Sequence, residues 1–247
     1  MSTLALIGGT GLSKLDDLSI IKKVEVDTPF GKPSEPLTYG QLFGRDIIFL
    51  PRHGGGHTIP PHMINYRANI WALKEAGVKN VIAIAACGAM DAAFVPTSLA
   101  IPDQIIDYTW GRKHTFFEEG LDEVTHIDFT NPYDETLRQQ LIQACKDAKV
   151  PFSDFGTYAA AQGPRLETAA EIRRMERDGC TMVGMTGMPE AALAREAGLA
   201  YACCAVSVNW AAGKTEEEIT MEEIVRCLGE GMDNIKGMFQ QLMATEL

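Results

Sequence analysis

Short apolar runs alternate with amphipathic stretches along the chain, a pattern typical of an α/β protein. The apolar runs predict strands over residues 4–7, 47–50, 81–86, 99–106 and 199–208. We therefore expect an α/β fold with a twisted, mixed β-sheet core surrounded by helices.

Three amphipathic stretches predict helices. Residues 63–76 place Ala68 and Ala72 near one face, and a second helix is expected to start at Asn131-Pro132 and to run toward residue 148. The last helix begins with a capping box of Thr220 and Glu223. Its apolar stripe contains Met221, Ile224, Val225, Leu228, Met232, Ile235, Met238, Phe239 and Leu242.

Composition and charge narrow the class of protein. The 247 residues carry a net charge of −11, which argues against a nucleic-acid or anionic-membrane partner, and we found no repeat or linker. A single domain over residues 1–247 is expected. The six cysteines show neither CxxC pairs nor metal-ligand spacing, so we expect free thiols and no metal. Without a basic leader or an apolar run of membrane length, a cytoplasmic location is expected.

Two glycine-rich turns follow predicted strands. The first, residues 8–11 (Gly-Gly-Thr-Gly), could form an anion-binding nest or a plain turn, and it matches neither the dinucleotide fingerprint nor Walker A. The second, residues 51–57, contains Arg52 and His53 before three glycines. Arginine suits phosphate, and a histidine can donate to phosphate or share its proton, so ligand contact is favoured here over surface decoration.

Further candidate segments lie where strands end or helices begin. Residues 85–89 are small and could make room for a ligand or pack under a helix. Residues 162–168 and 185–190 are turns that lead into helical segments and offer N–H donors. Asn209, after the last predicted strand, could read a purine edge or serve only as a turn residue.

The order of these segments resembles the trimeric purine nucleoside phosphorylase and 5′-methylthioadenosine phosphorylase family. The resemblance extends over nearly the whole chain and includes residues 7–11, 26–34, 52–54, 65–74, 86–88, 163–165, 185–186 and 189–190. It implies a homotrimer with sites near subunit interfaces, a nucleoside and inorganic phosphate as substrates, and no metal or organic cofactor.

The resemblance also implies site residues. Phosphate would be held by Gly8, Thr10, Arg52, His53, Thr186 and backbone N–H groups near Ala86. The nucleoside would contact Cys87, Gly88, Leu166, Glu167, Met185, Asn209, Ala211, Met221, Ile224 and, from a neighbouring subunit, His126. Asn209, Glu167 and His53 would be catalytic. One departure is Ala85, where methylthioadenosine phosphorylases carry threonine.

The residues expected at the base and the sugar point to one substrate class. Asn209 and Glu167 match the 6-oxopurine phosphorylases, whereas methylthioadenosine phosphorylases have aspartates at the places of Asn209 and Ala211. Met221 and Ile224 are apolar where purine nucleoside phosphorylases present a histidine to the 5′-hydroxyl. The expected reaction is phosphorolysis of S-methyl-5′-thioinosine to hypoxanthine and 5-methylthioribose 1-phosphate. The alternatives are methylthioadenosine phosphorylase, a general inosine/guanosine phosphorylase, and a non-catalytic nucleoside-binding protein.

Overall fold

The computed structural model describes residues 3–9 and 17–245, which form a mixed β-sheet flanked by helices. The described strands are β1 (Thr3–Gly8), β2 (Leu18–Val24), β3 (Leu37–Leu42), β4 (Arg45–Pro51), β5 (Val78–Ala89), β6 (Leu99–Ala100), β7 (Gln104–Asp107), β8 (Phe152–Ser153), β9 (Thr157–Ala160), β10 (Met182–Gly184) and β11 (Ala200–Trp210). The described helices are α1 (Tyr66–Glu75), α2 (Glu135–Ala148), α3 (Ala169–Arg177), α4 (Gly187–Glu196) and α5 (Met221–Met243).

Strand β5 organises the sheet because three strands pair with it. Strands β1 and β11 lie parallel to β5, and β10 pairs antiparallel to its last residues. On the other side of β1, β4 is also parallel, and β3 and β2 extend the sheet beyond it. The carboxyl ends of β1, β4, β5 and β11 therefore meet at one edge, where α/β sheets commonly bind ligands.

Hydrophobic clusters cover both faces of the sheet, and the alternation of β1 shows how. Ala5 and Ile7 pack in a cluster with residues of α1 and α4, whereas Leu4 and Leu6 pack in a second cluster with residues of α2 and α5. The helices therefore hold the binding edge of the sheet between two packed layers.

Four of the five predicted strands are confirmed, and the prediction of one strand over 99–106 is wrong. The structure has two short strands there, β6 and β7, which pair with different partners. Pro102 lies between them and has no backbone N–H to continue a ladder. Next to it, the Asp103 carboxylate accepts the Gly156 N–H at 2.8 Å, which turns the chain toward β7.

The predicted start of the second helix at Asn131-Pro132 is also wrong. Helix α2 begins after Asp134, whose carboxylate accepts the Leu137 N–H at 2.8 Å. The Asn131 carbonyl instead accepts the Arg195 guanidinium, which ties residue 131 to α4. The first predicted helix starts later than expected, after the cap Asn65, and residues 61–63 form a separate 3-10 turn.

The cap of α5 is confirmed at Thr220, whose hydroxyl accepts the Glu223 N–H at 3.2 Å. The apolar stripe packs on the sheet along its second half, but Met221 and Val225 are exposed. The packed face also uses Gly231, where a Cβ would stand 2.3 Å from Val206 Cγ1, so glycine permits the close approach.

The expectation of free thiols is confirmed, since all six cysteines are free and buried. Within residues 3–9 and 17–245 no group of three or more potential ligand side chains is arranged for a metal, and no helix is long and apolar enough to span a membrane.

Candidate active site

A cavity of about 500 Å³ opens at the carboxyl edge of the sheet. This volume is within the range of sites that hold small molecules. The cavity draws on β5 and β11, on the loop after β4, on the turns before α3 and α4, and on the start of α5. Of the predicted site residues, it brings together Arg52, His53, Ala86, Cys87, Gly88, Leu166, Glu167, Met185, Thr186, Asn209, Met221 and Ile224.

Residues at the ends of β1 and β5 supply small groups and backbone to this cavity. Ala86 is the exposed position between buried neighbours of β5, because it faces the cavity rather than the core. Among the described residues of the first turn, Gly9 lines the cavity and Gly8 does not, so a direct phosphate contact of Gly8 stays a prediction. Gly8 is buried, and its carbonyl accepts the Arg52 N–H at 3.0 Å. Thr10 lies outside the described residues.

Arg52 lies in the cavity wall, but most of its donors point into the protein. Its Nε and Nη2 donate to the two carboxylate oxygens of Glu190 at 2.9 and 2.8 Å, and its Nη1 donates to the Ile84 carbonyl at 2.7 Å. Nη2 also contacts the Ile7 carbonyl at 3.5 Å. Because a guanidinium has five N–H donors, one Nη1–H remains for a ligand within the described structure.

The Arg52–Glu190 pair is a compensated charge. Arg52 is 2% exposed and Glu190 is 0% exposed, and the Tyr201 hydroxyl adds a 2.8 Å hydrogen bond to Glu190 Oε1. Burial acts to lower the pKa of Arg52, but the ion pair and hydrogen bond with Glu190 outweigh it and raise that pKa. The contribution of Arg52 to anion binding is therefore a fixed N–H donor rather than a net positive charge.

His53 is held in a defined orientation beside Arg52. Its Nδ1 lies 2.9 Å from the Ile59 carbonyl, and its ring stacks on His57 with centroids 4.5 Å apart. Burial, with the nearby positive charge of Arg52, lowers the pKa of His53 to about 4. His53 is consequently neutral near pH 7.

Thr186 contributes from the N-terminus of α4. It occupies the cap position, yet its side chain makes no capping hydrogen bond, and its N–H donates to the Tyr158 hydroxyl at 3.3 Å. The hydroxyl of a buried threonine that does not cap its helix is suited to a ligand in the cavity.

Asn209 and Glu167 line the same cavity from different elements. Asn209, near the end of β11, donates one amide N–H to the Trp210 carbonyl at 2.7 Å, which leaves the other N–H and the side-chain oxygen. Burial raises the pKa of Glu167, and a backbone hydrogen bond acts in the opposite direction. Gly88 faces Asn209, since a Cβ there would lie 3.4 Å from Asn209 Nδ2.

The prediction that Ala211 contacts the substrate is not supported by its position. Ala211 is buried in the cluster around Met90 and Val183, and its N–H continues the ladder to the Ala89 carbonyl at 2.8 Å. The next residue, Ala212, lines the cavity instead, because the chain turns there.

Cys87 lines the cavity without the properties of a nucleophile. Its thiol is buried 3.7 Å from the Ala85 carbonyl, and burial raises its pKa well above the usual value. The neutral thiol therefore acts as a small wall residue.

One end of the cavity is apolar. Met185, Met221 and Ile224 line it together with further apolar residues, namely Val206, Val208, Ile219, Leu228 and Met232. Met221 is 70% exposed and lies at the mouth, whereas Ile224 is half-buried. His126 is not among the cavity residues of its own chain and is exposed in the irregular segment 111–134.

Two polar residues at or behind the cavity wall were not assigned a role by sequence reasoning, Glu190 and His57. Glu190 follows a proline at a helix start, where an acidic residue usually indicates only a favourable first turn. Its pairing with Arg52, 138 positions away, depends on the fold. His57 stood in the recognised glycine-rich segment, and its place in the cavity wall had no separate signal.

The fold and the cavity define an α/β enzyme-like site at the carboxyl ends of parallel strands, with an anion-compatible end and an apolar end. The sequence matches the phosphorylase superfamily over residues 3–244, and the chain belongs to that family.

Three relatives show how close the similarity is. A probable S-methyl-5′-thioinosine phosphorylase of Pseudomonas syringae pv. tomato is 51% identical over 244 residues, which are 99% of each chain. A 6-oxopurine nucleoside phosphorylase of Pyrococcus furiosus is 44% identical over 95% of this chain and 89% of that one. The structure of methylthioadenosine phosphorylase from Schistosoma mansoni with adenine superposes with a TM-score of 0.93 at 32% identity, over 99% and 91% of the chains.

Proposed function

We propose that this protein is a purine nucleoside phosphorylase that cleaves S-methyl-5′-thioinosine with inorganic phosphate, yielding hypoxanthine and 5-methylthioribose 1-phosphate. The observation that carries the proposal is one cavity that combines Asn209 and Glu167 with Arg52, His53 and Thr186 and with an apolar wall at Met221 and Ile224. The names of the relatives at 51–55% identity agree with this substrate.

The base is selected by its hydrogen-bond pattern. A 6-oxopurine presents an acceptor at O6 and a donor at N1–H. Asn209 has an amide N–H to donate, and the Glu167 carboxylate can accept from N1–H. Adenine would direct the lone pair of N1 at Glu167, which costs about 1–3 kcal/mol unless a proton is added.

Phosphate would bind between Gly9, Arg52, His53, Thr186 and the backbone at Ala86. Ala85 lacks the hydroxyl that methylthioadenosine phosphorylases are expected to have there, so the backbone donors carry more of the binding. The apolar wall suits a thiomethyl group, because moving this apolar group from water to an apolar surface is favourable.

The reaction is a displacement at C1′. The bond from C1′ to N9 breaks with its electron pair on the purine, and an oxygen of the hydrogen phosphate dianion forms the new bond to C1′. The proton that phosphate loses on becoming the sugar 1-phosphate balances the proton that the purine takes up at N7. Bound phosphate stabilises the positive charge that develops on the sugar, while Asn209 and Glu167 stabilise the leaving purine. Holding both substrates in line supplies proximity. No metal or organic cofactor takes part in this scheme.

The assembly belongs to the proposal as well. We propose a homotrimer of single-domain chains, in which His126 reaches the cavity of a neighbouring subunit. Its exposure, away from the cavity of its own chain, is compatible with that role. The cytoplasmic location expected from the sequence stays a prediction.

A second candidate is phosphorolysis of inosine, because Met221 is 70% exposed and the apolar end is open at its mouth. A 5′-hydroxyl at this opening could keep its hydration, so the cavity discriminates against inosine less than a closed pocket would.

Product release from methylthioinosine, inosine and methylthioadenosine, each with and without phosphate, tests the function. Phosphate-dependent hypoxanthine from methylthioinosine, with little adenine from methylthioadenosine, is the expected result. Preference for methylthioadenosine would overturn the reading of Asn209 and Glu167. Tight nucleoside binding without turnover would identify a non-catalytic binding protein instead.

A further inference from the structure

Arg112 lies between two turns of the cavity and bonds to both. It is 8% exposed, although arginine is usually a surface residue. Its Nη2 donates to the Gln162 carbonyl at 2.8 Å, and its Nη1 donates to the carbonyls of Met185 and Met188 at 2.9 and 2.6 Å. One planar guanidinium therefore joins the turn before α3 to the turn before α4.

Backbone hydrogen bonds do not join these two turns. Strands β9 and β10 run parallel, and the Ala161 N–H donates to the Gly184 carbonyl at 2.7 Å where they end. Past this bond, no backbone hydrogen bond of the described chain connects residues 162–168 with residues 185–190. Arg112 takes over at this point, since its Nη2 also reaches the Ala161 carbonyl at 3.3 Å.

Tyr66, the first residue of α1, helps to fix the guanidinium. The Cζ atom of Arg112 lies 5.5 Å from the centre of the Tyr66 ring, and Nη1 donates to the Tyr66 hydroxyl at 3.2 Å. Nε donates to the side-chain oxygen of Gln162 at 3.2 Å. The partners of Arg112 among the described residues are thus neutral oxygens, whereas Arg52 pairs with a carboxylate. The fixed fork of donors, rather than an ion pair, explains why arginine suits this place.

The two turns carry different halves of the cavity. Glu167 lines the cavity from the turn before α3, and Thr186 lines it from the turn before α4. In the proposed reaction the first residue contacts the base and the second contacts phosphate. Arg112 is not among the cavity residues, so any influence on the reaction acts through the turns.

On the basis of the proposed function, we propose that Arg112 is a positioning residue that sets the turn of Glu167 relative to the turn of Thr186 and thereby holds nucleoside and phosphate in line at C1′. The rate of a displacement depends steeply on this alignment. Binding of each substrate depends mainly on the turn that contacts it.

Each turn also has support of its own. Thr168 and Glu171 form a capping box after the first turn, and the Thr186 N–H of the second turn donates to the Tyr158 hydroxyl at 3.3 Å. Replacing Arg112 is therefore expected to misplace the two substrates relative to each other more than it weakens the binding of either.

Arg112→Met tests this, because methionine keeps an unbranched apolar stem and removes every donor. Initial rates are measured at varied methylthioinosine and phosphate, at a temperature where circular dichroism shows the variant folded. We expect kcat to fall about 10²-fold, as for a misplacement of about 1 Å. The KM for each substrate should change less than about 3-fold, because ground-state binding is retained.

Arg138→Met is the matched control. Arg138 is 7% exposed and donates to the carbonyls of Ile101 and Asp154 at 2.6 and 3.3 Å, outside the candidate active site. Both substitutions leave buried carbonyls without donors, so both should lower the melting temperature. Only Arg112→Met should lower kcat of the folded protein.

Arg112→Lys separates the charge from the fork. Lysine keeps the positive charge, but its single ammonium cannot present donors to both turns in a fixed plane. We expect kcat about 10-fold or more below that of the wild type. This variant decides the question if Arg112→Met does not fold. A wild-type kcat in either folded Arg112 variant, or an equal fall of kcat in Arg138→Met, would overturn the inference.

The two proposals can be told apart. Turnover of methylthioinosine by the wild type, with unchanged kcat in the Arg112 variants, would contradict the role of Arg112 and keep the proposed function. Preference of the wild type for another purine nucleoside would contradict the proposed substrate, and the same comparison with that nucleoside would still decide the role of Arg112. Lack of turnover of any purine nucleoside would contradict both.

Discussion

Arg52 and Glu190 form a bidentate ion pair with contacts of 2.8 and 2.9 Å, fully inside the protein and 138 positions apart in the chain. The pair joins the loop after β4 to the first turn of α4, so it fixes two walls of the cavity relative to each other. Tyr201 on β11 completes the contact through its hydrogen bond to Glu190.

Replacing Glu190 by Gln should destabilise the protein strongly, because Arg52 would remain buried without its counter-charge. Loss of one partner of such a pair costs about 3–5 kcal/mol. Urea unfolding followed by circular dichroism measures the change. Glu171→Gln is the control, since it breaks the exposed Arg165–Glu171 pair and should alter stability little. An equal loss of unfolding free energy in the two variants would contradict the argument that burial makes the Arg52–Glu190 pair costly to break.

Asn209→Ala should reduce kcat with methylthioinosine about 10²–10³-fold, since it removes a donor that stabilises charge on the leaving base. The melting temperature should change little, because the side chain makes one local hydrogen bond to Trp210. Steady-state kinetics and thermal unfolding measure both. Asn209→Asp is the informative companion, because a carboxylate accepts from a 6-amino group and should raise the relative rate on methylthioadenosine. A normal kcat in Asn209→Ala would remove this residue from the mechanism.

Gly88→Ala should raise KM for the nucleoside and leave KM for phosphate nearly unchanged. The added methyl would stand 3.3 Å from Val183 Cγ1 and 3.4 Å from Asn209 Nδ2, so it displaces the amide proposed to read the base. Initial rates at varied concentrations of each substrate separate the two constants. Gly229→Ala is the control, because its Cβ would meet nothing within 4 Å and α5 should gain helix propensity. A parallel rise in both KM values would indicate general distortion.

The sequence predicts the parts of this site that lie close together in the chain. Arg52 and His53 come just after the apolar run that predicts β4. Asn209 likewise comes directly after the apolar run that predicts β11. What it does not predict depends on long-range contacts. Asn131 and Asp134 are equally good caps by residue type. Long-range contacts separate them, because the Asn131 carbonyl accepts from Arg195 whereas the Asp134 N–H donates to the Tyr201 carbonyl. The choice of Ala212 over Ala211 depends on where β11 stops pairing. Pro102, in contrast, was a visible signal against a continuous strand.

Met221→Ser should narrow the preference for methylthioinosine over inosine. Met221 and Ile224 form the apolar wall, and a serine hydroxyl would suit a 5′-hydroxyl better than a thiomethyl group. The ratio of kcat/KM for methylthioinosine to kcat/KM for inosine is expected to fall about 3–10-fold. This is the size expected when about one or two methylene contacts are lost. Val225→Ser is the control on the same exposed turn, outside the cavity. An unchanged ratio in Met221→Ser would place the thiomethyl group elsewhere.

The lowered pKa of His53 also predicts a pH dependence of stability. The folded protein holds this pKa near 4, whereas an unfolded histidine titrates near 6.5, so between these values the unfolded chain binds the additional proton. The contribution of His53 to the free energy of unfolding is therefore fully present above about pH 6.5 and decreases as the pH falls toward 4. Urea unfolding of the wild-type protein and His53→Asn from pH 4.5 to 7.5 isolates this contribution, since the other titrating groups are shared. The free-energy difference between the two proteins should shift against the wild type as the pH falls. A difference independent of pH would mean that the folded His53 keeps an ordinary pKa, and the neutral ring assigned to the phosphate end of the cavity would then lose its support.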